Sequence, residues 1–145
     1  MRRGLILAGG AAVVAIVAAA ALLPGAPPHP AGASAAGGAA DPGRGASVFG
    51  ACSACHTVGR GGADVDGPNL YGVVGSRVAG RRPRYGYTQA LRDAGGTWTE
   101  DRLSAWLTDP AAFAPGTAMH FAGLPDARDR ADVIAFLATQ APARE

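Results

Sequence analysis

Cys52-Ser53-Ala54-Cys55-His56 contains the only two cysteines of a 145-residue chain, three positions apart, with a histidine directly after the second. Several chemistries compete for that arrangement. A plain disulfide would leave His56 without a role, a dithiol redox pair would want a βαβ framework, and a zinc site would want more ligands than these. Covalent haem attachment uses all three residues. Two thiols at this spacing on a helical turn reach both vinyl groups of the macrocycle, and the adjacent imidazole comes up under the iron.

Outward from this stretch, the first forty residues differ sharply in composition from the rest. Met1, Arg2 and Arg3 precede an uncharged, mostly apolar run over residues 5–23, closed by Pro24 and Gly25. A cleaved export signal has an apolar region of about 7–15 residues, whereas a membrane-spanning helix needs roughly 18 or more. The length of the run favours an anchor; its Ala- and Gly-rich composition, with Ala31-Gly32-Ala33 as a cleavage pattern, favours a signal. Residues 1–24 are therefore expected to be a signal peptide or an uncleaved membrane anchor. Arg2 and Arg3 stay on the cytoplasmic side in either case, and everything after residue 40 faces outward. That is the side on which bacteria attach haem.

Residues 25–40 are almost entirely Ala, Gly and Pro and read as a linker, with His29 exposed in it. The remaining part, residues 41–145, is one small domain. A chain of about a hundred residues buries a modest core, so a large internal cofactor would supply much of it. All 13 basic residues are Arg; once Arg2 and Arg3 are set aside, eleven face eleven Asp and Glu. A formally neutral domain disfavours nucleic-acid binding.

A haem iron held by His56 needs a second axial ligand if it is closed. Met119 and His120 follow Pro115, Gly116 and Thr117 in a segment too rich in Pro and Gly to be helical, so either could be held out on a loop.

Three further segments carry a resemblance. Gly67-Pro68-Asn69-Leu70-Tyr71-Gly72-Val73-Val74-Gly75 resembles the stretch after the haem motif in class I c-type cytochromes, the group of mitochondrial cytochrome c and its bacterial relatives. So does the segment from Tyr87 to Trp98 with its Gly95 and Thr97. Asp109 and Pro110, followed by Phe113 and the run from Pro115 to Leu124, are similar to the family's methionine-ligand loop. The likeness covers about residues 41–140 in one order.

What the resemblance implies is specific. One haem c is bonded to Cys52 and Cys55, with His56 and Met119 as axial ligands and His120 left as a surface position. The carbonyl of Pro68 accepts a hydrogen bond from the far nitrogen of His56. Tyr87 and Trp98 line the pocket and donate to a propionate, and Arg77 sits near the propionates if Ser76 is a one-residue insertion. Trp106 stands where many relatives have Tyr and packs on the haem; Thr117 and Phe121 flank the methionine.

The fold implied is all-α, a small cytochrome c fold with three main helices, a short one and long loops around the haem. Helical spacing and caps predict helices over residues 41–52, 126–140 and 100–108, and a short one over residues 87–94 capped by Thr88. Thr97-Trp98-Thr99-Glu100 offers a capping box for the third. Gly45 would let another helix cross closely, and the resemblance implies that this is the last helix. Arg77, Arg81, Arg82 and Arg84 form a basic stretch that reads as a solvated loop.

The function expected is a one-electron carrier, not an enzyme, on the periplasmic side of the membrane. It would be a soluble periplasmic protein after cleavage, or tethered through residues 5–23. Its partners would be a quinol-oxidising complex as donor and a terminal oxidase or another reductase as acceptor in a respiratory or similar chain. The alternative is the haem domain of an enzyme with an open iron position, suited to peroxide or small-molecule chemistry. Relatives often ring the exposed haem edge with lysines, and this chain has none.

Overall fold

The computed structural model describes residues 38–141. The signal or anchor expected over residues 1–24, residues 25–37 of the linker expected over 25–40, and the last four residues lie outside the described residues. Among those described, no helix is long and apolar enough to cross a membrane.

Asp41 starts the first helix, α1 (Pro42–Val48), because its carboxylate accepts from the amides of Gly43 and Arg44 at 2.8 and 3.2 Å while Pro42 needs no partner. A 3-10 turn over Phe49–Ala51 extends α1. Turns then carry the chain through the cysteine motif, with the His56 amide donating to the Cys52 carbonyl at 3.0 Å. The helical spacing of the two thiols follows from this continuation.

Thr88 caps α2 (Gln89–Ala94), its hydroxyl accepting from the Leu91 amide. The cap of α3 (Glu100–Thr108) is Thr99, which accepts from the Arg102 amide at 3.2 Å. The expected capping box from Thr97 does not form. Thr97 is instead paired with Arg77 in an isolated antiparallel bridge, so its backbone is extended and the helix must begin two residues later. Asp109 ends α3 and caps a one-turn helix, α4 (Pro110–Phe113), which periodicity could not announce because one turn has no period. Asp126 caps α5 (Ala127–Thr139), accepting from the amides of Arg128 and Asp129.

Among the described residues the only β-type pairing is that single bridge, and the class is all-α. The core joins Phe49, Val73, Val78, Trp98, Leu103, Trp106, Leu107, Val133, Ile134 and Leu137. Its main seam is α1 against α5. Gly45 makes the seam possible: a Cβ there would strike the backbone carbonyl of Asp132 and the Cβ of Phe136. Phe49 and Phe136 meet one turn along, with ring centroids 5.4 Å apart.

Asp132 has a fully buried carboxylate in the middle of α5. It accepts from the Asp41 amide at 2.7 Å, from Arg44 Nε at 2.5 Å and from Arg128 Nε at 3.2 Å. The backbone donor first, and then the two guanidiniums, hold its pKa below the ordinary carboxylate value despite burial. Arg128 also donates to the carbonyls of Gly38 and Ala39. Two side chains of α5 thus fasten the domain's start, Asp132 holding the beginning of α1 and Arg128 the chain leading into it.

The long loops are stitched by side chains rather than by ladders. Asn69 is buried, donating to Thr57 Oγ1 at 2.6 Å and to the Gly59 carbonyl at 3.0 Å, and accepting from the Tyr71 amide at 3.0 Å. Arg82 pairs with Asp64 at 2.8 Å, and Arg81 donates to the Tyr71 carbonyl at 2.9 Å. These two arginines tie neighbouring loops together, a role the solvated-loop reading did not contain.

Candidate haem-binding site

Between these elements lies a cavity of about 500 Å³, within the range of about 300–1,000 Å³ usual for organic cofactors. Its wall is built from the turn after α1, the loop containing Pro68, the loop before α2, the inner faces of α3 and α5, and the loop after α4. Cys52, Cys55, His56, Pro68, Arg77, Tyr87, Trp98, Trp106, Thr117, Met119 and Phe121 all line it. Every residue that the resemblance assigned to the haem site thus lines one cavity. Leu70, Val73, Leu91, Leu103, Leu107, Val133 and Leu137 complete a mostly apolar lining.

The two cysteines are free thiols, Cys52 half-buried and Cys55 exposed. Burial pushes the Cys52 thiol above its ordinary pKa, with a smaller contribution from Cys55. The disulfide reading therefore has no support in the geometry. The zinc reading lacks ligands as well, since no cluster of three or more His, Cys, Asp or Glu side chains suited to a metal occurs among the described residues.

His56 is oriented by a backbone contact, its Nδ1 lying 2.8 Å from the carbonyl oxygen of Pro68. A carbonyl only accepts, so Nδ1 carries the proton and Nε2 keeps its lone pair. Gly67, the residue before Pro68, is buried flat against the imidazole: a Cβ there would overlap the ring. The hydrogen bond to Pro68 was expected from the resemblance; the close fit of Gly67 under the ring was not, although the glycine before Pro68 was the signal for it.

Met119 is half-buried at the cavity edge, its amide donating to Thr117 Oγ1 at 3.2 Å, while His120 is exposed at the rim. The loop returns to the body through the Leu124 amide, which donates to the Leu107 carbonyl at 2.7 Å. Tyr87 packs edge-on to Tyr85 with centroids 5.0 Å apart, and burial raises its hydroxyl pKa. Trp98 and Trp106 are buried, 5.7 Å apart, and both contact Phe113 behind them.

A free imidazole nitrogen, two thiols, a thioether and an apolar wall fit a haem bonded through the cysteines. The donor set is that of an iron porphyrin site rather than of a hydrophilic cofactor.

Residues 43–141 match the family model described as cytochrome c. The chain is 49% identical over 102 residues to cytochrome c2 of Rhodomicrobium vannielii, covering 70% of this chain and 81% of that protein. It is 48% identical over 94 residues to a cytochrome c homolog of Bradyrhizobium diazoefficiens, covering 65% of this chain and 51% of that protein. The chain thus spans about half the length of that relative. Among solved structures, cytochrome cH from Methylobacterium extorquens superposes with a TM-score of 0.65 at 37% identity, over 68% of this chain and 98% of that one. With the cavity, its thiols and its imidazole in view, the match fixes the assignment: the chain belongs to the cytochrome c family, as a class I c-type cytochrome whose cofactor is one covalently attached haem c.

Proposed function

We propose that this monohaem electron carrier works on the periplasmic face of a cytoplasmic membrane, in a respiratory or related chain, with Cys52 and Cys55 as attachment points and His56 and Met119 as axial ligands. The observation that carries the reading is that one cavity gathers Cys52, Cys55 and His56 from the turn after α1 together with Met119 from the loop after α4. When bound, haem c supplies a reversible one-electron couple.

The residues of the chain shape that couple. Pro68 holds the His56 ring through Nδ1, which would leave Nε2 to bind the iron and keep the ring from rotating away. Thr117 steadies the backbone of Met119. A soft, uncharged thioether favours the ferrous state and so a higher potential than a second imidazole would give. With His56 and Met119 both bound to the iron, no position would remain for a substrate, which supports a carrier over an enzyme.

Trp106 and Phe121 exclude water as part of the lining, and Arg77, Tyr87 and Trp98 are the groups we assign to the propionates. The encounter partners are redox proteins, with a quinol-oxidising complex as donor and a terminal oxidase or reductase as acceptor. Residues 1–24 deliver the domain to the periplasm as a signal peptide or hold it there as an anchor, and residues 25–40 serve as the linker.

The test is direct. Intact mass of protein made with the cytochrome maturation machinery should exceed the polypeptide by one haem. The visible spectrum should contain a methionine-to-iron charge-transfer band that Met119→Ala abolishes, with the potential falling as well. A substituted protein with unaltered spectrum and potential would remove Met119 from the site.

A further inference from the structure

Arg102 stands behind the aromatic wall of the haem cavity rather than in it. Its guanidinium carbon lies 5.1 Å from the centroid of Phe113. Phe113 is stacked on Trp98 with centroids 5.7 Å apart and edge-on to Trp106 at 5.6 Å. Those two indoles form part of the cavity lining. The order outward from the cavity is therefore Trp98 and Trp106, then Phe113, then a cation.

The cation is held in place. Arg102 Nη2 donates to the carbonyls of Ala94 and Gly95 at 3.1 and 2.8 Å, which are the last residue and the C-cap of α2. A positive charge at a helix C-terminus is favourable. Its Nε is buried without a hydrogen-bond partner. No carboxylate pairs with it among the described residues, although Asp93, Glu100 and Asp101 are close in sequence. The guanidinium is thus a half-buried charge with no carboxylate within ion-pair distance among the described residues.

We infer that Arg102 is a positioning and potential-setting residue: it clamps Phe113 against Trp98 and Trp106, and its fixed charge raises the reduction potential of the site. One-electron reduction lowers the charge of the haem centre by one, so a nearby cation stabilises the reduced form more than the oxidised form. Partial burial weakens screening by salt, which would erase the effect of a fully exposed arginine. The ring between cation and indoles is held by a cation–π contact, strongest where water is excluded. The inference rests on the carrier reading above, since it concerns the potential of a closed haem.

Three variants test it in the full holoprotein. Arg102→Met removes the charge and the hydrogen bonds, Arg102→Gln removes the charge but keeps an amide donor, and Arg102→Lys keeps the charge without the planar fork. The midpoint potential should shift negative in Arg102→Met and Arg102→Gln and stay near wild type in Arg102→Lys. Both Arg102→Met and Arg102→Lys should unfold at lower denaturant concentration, with altered near-ultraviolet circular dichroism from the two tryptophans.

Equal potentials in wild type and both neutral variants, with the methionine charge-transfer band intact, would overturn the inference. So would a negative shift in Arg102→Lys as large as in Arg102→Met, which would mark the effect as packing alone. Absence of that band in the wild type would instead defeat the carrier reading, so the two failures are distinguishable.

Discussion

The Nδ1 atom of His56 lies 2.8 Å from the carbonyl oxygen of Pro68, and the imidazole fills the space that a side chain on Gly67 would need. One short loop thus fixes the proton of the ring on one side and its plane on the other. Gly67→Ala adds a methyl that must displace the ring or the loop, an overpacking of about 1–3 kcal/mol. The expected result is a lower yield of holoprotein and a shifted potential. Haem content per polypeptide and voltammetry of the purified variant check both.

Gly45 is the corresponding contact point of the helix pair α1 and α5. Gly45→Val should cost about 2–3 kcal/mol, because the obstacle is the Asp132 backbone carbonyl and cannot rotate away. Gly50→Ala is the control: nothing lies near its would-be Cβ, and the change should stay within about 0.5 kcal/mol. Denaturant titrations of the two variants measure the difference.

Asp132 predicts the acid limb of the stability curve. Its folded-state pKa lies below the ordinary value, first through the Asp41 amide and then through Arg44 and Arg128. Its contribution is therefore complete above the unfolded-state pKa of about 3.9 and disappears as pH falls through the depressed folded value. Asp132→Asn should lower stability at neutral pH, where Arg128 loses its counter-charge and Arg44 keeps only Asp129, and flatten its dependence on pH below about 4. Thermal unfolding followed from neutral to acidic pH gives the two slopes.

Asn69 holds three strands of loop with one amide. Asn69→Ala removes a hydrogen bond each from the Thr57 hydroxyl and the Gly59 carbonyl, which keep one other, and takes its side-chain acceptor from the Tyr71 amide, which should cost about 1–3 kcal/mol. Because Asn69 also borders the haem cavity, hydrogen exchange should rise first at residues 57–72. Uniform acceleration along the whole chain would mean that these loops open only by global unfolding.

Family and all-α class were legible in one dimension because their signals are local. The attachment spacing lies within five residues, Asp41, Thr88 and Asp126 sit directly before the helices they cap, and the apolar spacing of α5 spans Val133, Ile134 and Leu137. Gly45 was legible as a place where a helix could cross because it is small, and the resemblance supplied the partner, α5. The choice between Thr97 and Thr99 as cap was not local. It turned on the extended pairing of Thr97 with Arg77, across a loop whose path the sequence does not encode in any short pattern.

Only the tertiary structure assigned the polar groups. A mid-helix Asp132, an Asn69 in a turn-like run, a Gly67 beside a proline and an Arg102 on a short helix all look like ordinary surface choices. Each is decided by partners distant in the chain or on a neighbouring element: Arg44 and Asp41 for Asp132, Thr57 and Gly59 for Asn69, His56 for Gly67, and Phe113 with the end of α2 for Arg102. Hydrogen bonds and aromatic contacts are directional, and their meaning appears only when folding brings both partners within reach. Apolar periodicity and covalent spacing carry their meaning along the chain itself.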